Sequence, residues 1–232
     1  ERLVGQIKLW KTTVMKKPKL LTILREPFSG LSHLSGAILS FVGLLALMQS
    51  AQLKGTLQHQ VSFAIFGCSM ILMYLASGLY HSLPLGEKGI KLLRRIDHMA
   101  IYILIAGSYS PICLVALRET YGLYYFIIAW SMALAGIVTK LFWIESPRWI
   151  TVAMYLGMGW ISVPLALPLS KVVAPWCLYW IVIGGLFFTS GAVIYAKKKP
   201  NPFPGVFGFH EIWHLFVMAG TFSHFWAIYK YI

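Results

Sequence analysis

Residues 208–226 read GFHEIWHLFVMAGTFSHFW, an apolar stretch that carries three histidines. A transmembrane helix needs about 20 predominantly apolar residues, so this stretch with its flanks is long enough to cross a bilayer. It contains HEIWH at residues 210–214, a match to the H-E-x-x-H string of zinc proteases. Three explanations are open: a protease helix, a different zinc site, or a chance spacing of histidines in a buried helix. The positions of the other polar residues distinguish them.

The composition of the whole chain is typical of a membrane protein. Its 232 residues are 58% hydrophobic and 12% charged, with a mean hydropathy of +0.71, whereas about a quarter of a soluble domain is charged. Hydropathy predicts seven spans, at residues 31–50, 61–81, 96–117, 121–142, 149–170, 174–195 and 207–229. We therefore expect an all-α bundle of seven transmembrane helices that fills residues 26–232 and lies in the cell (inner or plasma) membrane.

Lys and Arg are distributed unevenly between the two sides of this bundle. With the N-terminus in the cytoplasm, sixteen of the 20 lie on the cytoplasmic side. They are seven before the first span and Lys88, Lys91, Arg94, Arg95, Lys140, Arg148, Lys197, Lys198 and Lys199; the other four are Lys54, Arg118, Lys171 and Lys230. The positive-inside rule then predicts a cytoplasmic N-terminus and an outside C-terminus. The net charge of +13 indicates contact with the anionic cytoplasmic leaflet and not with nucleic acid.

The first 25 residues are a separate basic segment. They contain no unbroken apolar core and no small-residue cleavage site, so they do not have the pattern of a secretory signal. Their mixture of lysines with Leu9, Trp10 and Val14 favours an interfacial helix on the cytoplasmic membrane face. The sequence does not determine the oligomeric state.

The predicted topology places several polar residues at one depth near the cytoplasmic face. His81 closes the second span, Asp97 opens the third, and His210 and His214 open the seventh. The pairs His210/His214 and Ser77/His81 are each spaced i,i+4, which puts the members of a pair on one helix face. Three imidazoles with an open position form the ligand set of a catalytic zinc site, and a carboxylate nearby can orient water or accept its proton.

Each of these residues also has a simpler interpretation. Asp97 has Arg94 three residues earlier and could form an interfacial ion pair, while Ser77 could bond to its own helix carbonyl. Glu211, inside HEIWH, is favoured at a helix N-terminus by the helix dipole. An intramembrane protease would need a further ligand, typically from an Asp-Gly turn, but the single Asp of the chain, Asp97, precedes His98. The protease match is therefore weak.

The remaining histidines and the cysteines are predicted to lie outside the metal site. His98 is expected to face headgroups, His59 to be solvated in an outer loop, and His224 to form an interhelical hydrogen bond about 15 Å deeper than His214. His33 lies at the cytoplasmic level, with either a packing role or contact with a ligand. Cys68, Cys113 and Cys177 fall in three different spans without CxxC spacing, so we expect packing and no disulfides.

Four motifs in order resemble a known family. EPFSGLSHLSGA (26–37), SGLYHS (77–82), RRIDHMAIYILIAGSYSP (94–111) and GFHEIWHLFVMAGTFSHF (208–225) are similar to segments of the bacterial hemolysin III proteins, which belong to the progestin and adipoQ receptor family that includes the adiponectin receptors. The resemblance implies seven helices and a zinc ion in the cytoplasmic half of the bundle. It places the zinc ligands at His81, His210 and His214, and the water-holding residues at Ser77 and Asp97.

The resemblance extends to alkaline ceramidases, which implies hydrolysis of a lipid amide. The leading hypothesis is therefore a zinc-dependent hydrolase of lipid amide or ester bonds that acts in membrane lipid homeostasis, with a membrane lipid as substrate. Its acyl chain would lie between the helices. Glycines leave room for close packing or a cavity at positions 30, 36, 43, 78, 107, 136, 157 and 159. The alternatives are a non-enzymatic sensor or receptor-like protein with a structural zinc ion, and a membrane-lytic hemolysin.

The topology can be tested with a reporter fused after Ile232. An alkaline phosphatase fusion there should be active and a green fluorescent protein fusion dark, since the positive-inside rule places the C-terminus outside the cytoplasm. The same reporters inserted after Glu145 provide the control and should give the opposite result. A fluorescent fusion at Ile232 would contradict the predicted orientation.

Overall fold

The computed structural model describes residues 24–232. Residues 1–23, which contain most of the predicted basic segment, lie outside the described residues. Eight α-helices occur in residues 24–232: α1 (Pro27–Lys54), α2 (Leu57–Ser82), α3 (Glu87–Pro111), α4 (Gly122–Phe142), α5 (Arg148–Trp160), α6 (Ala166–Ser170), α7 (Pro175–Lys197) and α8 (Phe209–Tyr231). In this part of the chain, strand-like pairing is limited to an isolated bridge between Phe203 and Phe207.

Six helical segments of the described chain are long and apolar enough to cross a membrane. They are Pro27–Lys54, Leu57–Ser82, Glu87–Ala116, Gly122–Phe142, Arg148–Ser170 and Pro175–Lys197, with mean hydropathies of 1.7 to 1.9. They coincide with the first six predicted spans, so the predicted helical membrane architecture is confirmed for these six. The seventh predicted span is the 23-residue helix α8, which carries three histidines, Glu211 and Lys230 and is not among these six.

Two of the predicted spans differ from the observed helices. Helix α3 begins at Glu87, nine residues before the predicted start of its span, because the charged residues 87–95 form a helix that hydropathy does not detect. The fifth span is interrupted: α5 ends at Trp160, a 3-10 turn covers Val163–Leu165, and α6 follows. Pro164 and Pro168 account for this break, since proline has no N–H to donate in a continuous helix.

Short connections make α1 and α2 antiparallel neighbours. Gly55 closes α1 in the left-handed conformation (φ 75°) and donates its N–H to Ala51, and the Thr56 side chain caps α2. At the other end of the pair, the N–H of Glu26 donates to the carbonyl of His81 at 2.9 Å. The start of α1 therefore lies beside the end of α2.

Glycines allow close packing between helices, as expected. A side chain at Gly36 would meet the ring of Tyr74, and one at Gly136 would enter the ring of the fully buried Tyr102. Gly157 and Gly159, on α5, have open space in front of them. The glycines thus serve both predicted purposes, helix contact and free volume.

The three cysteines are free thiols. Cys113 and Cys177 are buried packing residues, as predicted. Cys68 is exposed on the surface of the bundle, so the prediction that it packs in the core was wrong. Its helix has one face toward the bundle interior and one toward the surroundings, and hydropathy does not separate the two faces.

A methyl group at Gly136 should destabilise the fold. In Gly136→Ala the new carbon would collide with Tyr102, which is 0% exposed and cannot move aside, so we expect a loss of about 1–3 kcal/mol. Gly157→Ala is the matched control, because the site is exposed in mid-helix and alanine there should be neutral or stabilising by up to about 1 kcal/mol. Thermal unfolding in detergent measures both. Equal unfolding temperatures for the two variants would contradict the packing described.

Candidate metal centre

Three imidazoles from two helices meet near the ends of α2 and α8. His81 lies in the last turn of α2, while His210 and His214 lie in the first two turns of α8. One nitrogen from each ring lies within 4.8 Å of the other two. His210 Nε2 is 3.3 Å from His81 Nε2 and 3.1 Å from His214 Nε2. The structure therefore brings together the three residues that the sequence analysis selected as metal ligands.

The spacing of these nitrogens fits a tetrahedral metal site. Zinc–nitrogen bonds of 2.0–2.1 Å at tetrahedral angles place ligand nitrogens about 3.3–3.4 Å apart. The two separations at His210 are close to this value, and His81 and His214 are each only 2% exposed. Three imidazole nitrogens directed at one another, two of them on buried rings, hold lone pairs or protons in contact, which a shared cation relieves. An all-imidazole donor set without thiolate suits zinc, copper, iron or nickel.

Glu26 orients His81 from the opposite side of its ring. His81 Nδ1 donates a hydrogen bond of 2.6 Å to Glu26 Oε2, and Arg25 forms an ion pair of 3.1 Å with the other carboxylate oxygen. Burial raises the pKa of the Glu26 carboxyl, but the hydrogen bond from His81 and the positive charge of Arg25 oppose this effect, and the pKa lies below its ordinary value. Because Nδ1 carries the proton, the lone pair of His81 Nε2 is directed toward the other two histidines.

Sequence reasoning assigned no role to Glu26. The available signal was its position: an acid directly before Pro27, at the same predicted depth as His81. Backbone hydrogen bonds fix the contact, because Arg25 and Glu26 donate their N–H groups to the carbonyls of Ser82 and His81. The chain entering α1 is thereby tied to the end of α2.

His33 packs directly against the histidine cluster. Its ring stacks on His214 with centroids 3.7 Å apart, and it meets the ring of Tyr74 edge-on. His33 is 3% exposed, and neither ring nitrogen has a hydrogen-bond partner in the described structure. Its observed contact is thus with a candidate ligand ring, and it fixes one face of His214.

Asp97 and Ser77 are buried and line the same cavity as His210 and His214. The suggested ion pair between Asp97 and Arg94 is absent from the described structure, because Arg94 pairs with Glu145 at 3.0 Å. Asp97 lies ten residues after the start of α3 and not in its first turn, since the helix begins earlier than predicted. A carboxylate from α3 and a hydroxyl from α2 therefore line the cavity that His210 and His214 also line.

His98 and His59 lie in different surroundings from those expected. His98 lines the cavity, and its Nδ1 is buried without a hydrogen-bond partner in the described part of the chain, so the prediction that it faces headgroups was wrong. The cavity extends to the side of α3 on which His98 lies. The direction of a residue around its helix does not show whether that side faces a cavity or the lipid. His59 is not in a loop but in the first turn of α2, with Nε2 3.2 Å from the carbonyl of Ile232.

Glu211 and His224 fulfil structural roles. Glu211 accepts hydrogen bonds from the Gly208 N–H at 2.8 Å and from Ser29 Oγ at 3.1 Å. It therefore caps α8 and ties it to α1, and its carboxylate is not free to serve as the base of a zinc protease. His224 bonds to the carbonyl of Ile181 on α7 at 3.2 Å, which confirms the predicted interhelical hydrogen bond.

A cavity of about 450 Å³ extends from the histidine cluster into the bundle. Its polar lining includes Ser77, Asp97, His210 and His214, and apolar residues such as Ile105, Leu165 and Leu178 line most of the rest. Helices α2, α3, α5, α7 and α8 contribute to its wall. A polar end joined to a long apolar interior has the chemistry to hold a lipid chain with its carbonyl group near the histidines.

Comparison with known proteins places these observations in a family. The profile described as "Haemolysin-III related" matches residues 21–225. The chain is 37% identical over 212 residues to the hemolysin-3 homolog of Bacillus subtilis, covering 91% of this chain and 96% of that protein. It is 35% identical over 207 residues to hemolysin-3 of Bacillus cereus, with 89% and 91% coverage.

A human protein matches at lower identity. Monocyte to macrophage differentiation factor of Homo sapiens is 26% identical over 182 residues, covering 75% of this chain and 71% of that protein. The resemblance found in the four motifs is thus confirmed over most of the chain. Together with the six apolar helices, these matches establish that the chain belongs to the haemolysin III-related family of multi-pass integral membrane proteins.

Proposed function

We propose that this protein is a zinc-dependent hydrolase that cleaves an amide or ester bond in a lipid taken from the surrounding bilayer. The observation that carries the proposal is the arrangement of the three histidine nitrogens, with separations of 3.1 and 3.3 Å at His210. The second support is the cavity that leads from these nitrogens into an apolar interior. A metal ion and a lipid carbonyl can meet at that junction.

The proposed chemistry divides between the metal and the protein. His81, His210 and His214 would hold zinc, which when bound would polarise a carbonyl group and make water a stronger acid. Asp97 would accept a proton from water, and Ser77 would hold the water by a hydrogen bond. The apolar wall of the cavity would fix the acyl chain and exclude bulk water.

The proposed location of the site is the cytoplasmic half of the membrane. The distribution of basic residues supports this location. The segments at the histidine end of the bundle carry most of the lysines and arginines, and such segments face the cytoplasm by the positive-inside rule. The Arg25–Glu26 segment, the α2–α3 connection and the start of α8 all lie at this end. The anionic leaflet on that side would contact the basic surface.

The main rival function is a non-enzymatic sensor whose zinc ion is structural. Both functions require metal, but only the hydrolase requires Asp97 to act on water. A lytic function, suggested by the name hemolysin-3 of the Bacillus cereus relative, has less support. The cavity lining is mainly apolar, whereas a water-filled pore requires a polar lining along its length.

Zinc should bind at about one ion per chain, and the ligand set can be tested by substitution. His214→Ala and His81→Ala should each remove most of the zinc, because only two of the three imidazole ligands would remain. Glu26→Gln should keep zinc but lower its affinity about 10–100-fold, as the carboxylate that orients His81 is lost. Elemental analysis and competition with a chelating dye measure these effects.

Glu119→Gln is the matched control for Glu26→Gln, since Glu119 is an exposed acid on the far connection between α3 and α4. It should bind zinc as tightly as the unmodified protein. Unchanged zinc content in both histidine variants would contradict the assignment of ligands.

Asp97→Asn should separate the hydrolase from the sensor. The amide keeps the shape of the side chain but cannot accept a proton, so lipid turnover should fall about 100–10,000-fold, as is typical for loss of a general base. Zinc should remain, with affinity lowered at most about 10–100-fold. The measurements are zinc content and release of fatty acid from mixed bacterial lipids.

Arg94→Gln is the control for charge near Asp97. Because Arg94 pairs with Glu145, its loss should leave zinc content and turnover unchanged. Undiminished turnover in Asp97→Asn would remove the carboxylate from the mechanism. Zinc loss as complete as in His214→Ala would instead make Asp97 a ligand.

A further inference from the structure

Lys140 is a buried cation without a carboxylate partner among residues 24–232. It lies in the last turn of α4 and is 1% exposed. Its Nζ donates to Ser146 Oγ at 2.6 Å and to Thr151 Oγ1 at 2.7 Å. No carboxylate of residues 24–232 lies within 4.0 Å of Nζ, and the neighbouring Glu145 is mostly exposed and bonds to Arg94. A buried charge is costly unless it is paired, so this ammonium group favours an anion nearby.

The hydroxyl groups around Lys140 leave donors unused. Ser146 Oγ and Thr151 Oγ1 both accept from the ammonium group and lie 3.3 Å apart. One hydroxyl can donate to the other, but the second hydroxyl proton and the third ammonium proton have no acceptor within this group of three. Thr151 is buried and lines the cavity. The cluster therefore presents a cation and a spare donor behind the cavity wall.

His98 lines the same cavity from α3. Thr151 and Tyr155 are i,i+4 on α5 and share a face, and the Tyr155 hydroxyl donates to the carbonyl of His98 at 3.1 Å. His98 and Thr151 both line the cavity, and His98 Nδ1 is buried without a hydrogen-bond partner among residues 24–232. Tyr155 thus links the backbone of His98 to the helix that carries Thr151, and both side chains face one cavity.

We propose that Thr151 and His98, backed by Lys140, form a subsite for an anionic group carried by an acyl chain, either a phosphate or a carboxylate. The anion would accept hydrogen bonds from Thr151 and His98 and offset the charge of Lys140, as anions do with charge-assisted donors. The apolar remainder of the cavity would hold the chain. The ligand of this cavity is therefore an anionic lipid and not a neutral one.

This inference rests on the proposed function only in taking the cavity as the place where lipid binds. It requires no turnover and no metal. The experiment below therefore measures binding alone, and it includes the metal-depleted variant His214→Ala. If His214→Ala keeps the preference for anionic lipid, the subsite stands even where hydrolysis fails.

The test is equilibrium binding of three lipids with the same acyl chains to the purified full chain in neutral detergent. They are dioleoyl phosphatidic acid, oleic acid at pH 8 and neutral dioleoylglycerol. The unmodified protein should bind at least one anionic lipid more tightly than dioleoylglycerol. In Lys140→Met this preference should fall about 10-fold or more, as for loss of a hydrogen bond to a charged group, whereas Lys140→Arg should retain it.

Lys91→Met is the matched control, because it removes an exposed positive charge from the same end of the bundle as Lys140 and should leave the preference unchanged. If Lys140→Met does not fold, Thr151→Val decides, since it removes the donor and retains the lysine. A preference for phosphatidic acid alone identifies a phosphate, and one for oleic acid alone a carboxylate. Equal binding of neutral and anionic lipids, or an undiminished preference in folded Lys140→Met, would overturn the proposal.

Discussion

The hydrogen bond between His81 Nδ1 and Glu26 Oε2 is the contact on which the geometry of the histidine cluster depends. It joins the segment entering α1 to the last turn of α2, and two backbone hydrogen bonds reinforce the same junction. Because it fixes which nitrogen of His81 carries the proton, it also fixes the direction of the Nε2 lone pair. His210 and His214 then face that nitrogen from α8, and Glu211 secures the start of α8 against Ser29 on α1. Acids thus hold both sides of the cluster in place without pointing into it.

The membrane environment explains why the polar groups are concentrated at one end. Within lipid, backbone groups must be satisfied by the helix itself, and polar side chains are costly unless they find partners. The histidines, Asp97, Glu26 and the Lys140 cluster lie near helix ends or around the cavity. The outer surface carries exposed apolar residues such as Leu39, Phe142 and Trp149 instead. The bundle therefore contains a mainly apolar cavity with a group of polar side chains at its histidine end, inside an apolar exterior.

Much of this arrangement could be predicted from the sequence, because depth in a membrane follows from the position of a residue along its span. The shared level of His81, His210 and His214 came from helix ends and i,i+4 spacing alone. Six helices followed from hydropathy, and the interhelical bond of His224 followed from its depth. The break after Trp160 also had a visible signal in Pro164 and Pro168.

The remaining features depend on tertiary contacts that spacing does not encode. Arg94 is three residues from Asp97, yet it reaches Glu145 on the connection between α4 and α5. His98 lies on a different face from Asp97, as expected, but the cavity extends to that face as well. The contact of Glu26 with His81 could not be predicted from spacing, because it depends on the path of the chain into α1. In these cases, separation along the sequence is a poor guide to contact. Packing of the helices brings together side chains that are far apart in the sequence.

X-ray absorption at the zinc edge tests the central claim most directly. It should be measured on the purified protein in detergent after equilibration with zinc and removal of the excess. The account predicts about one zinc per chain, coordinated by three imidazole nitrogens at about 2.0–2.1 Å and one oxygen, and a loss of one imidazole shell in His214→Ala. A protein that retains no zinc, or zinc with fewer than two imidazole ligands, would contradict it.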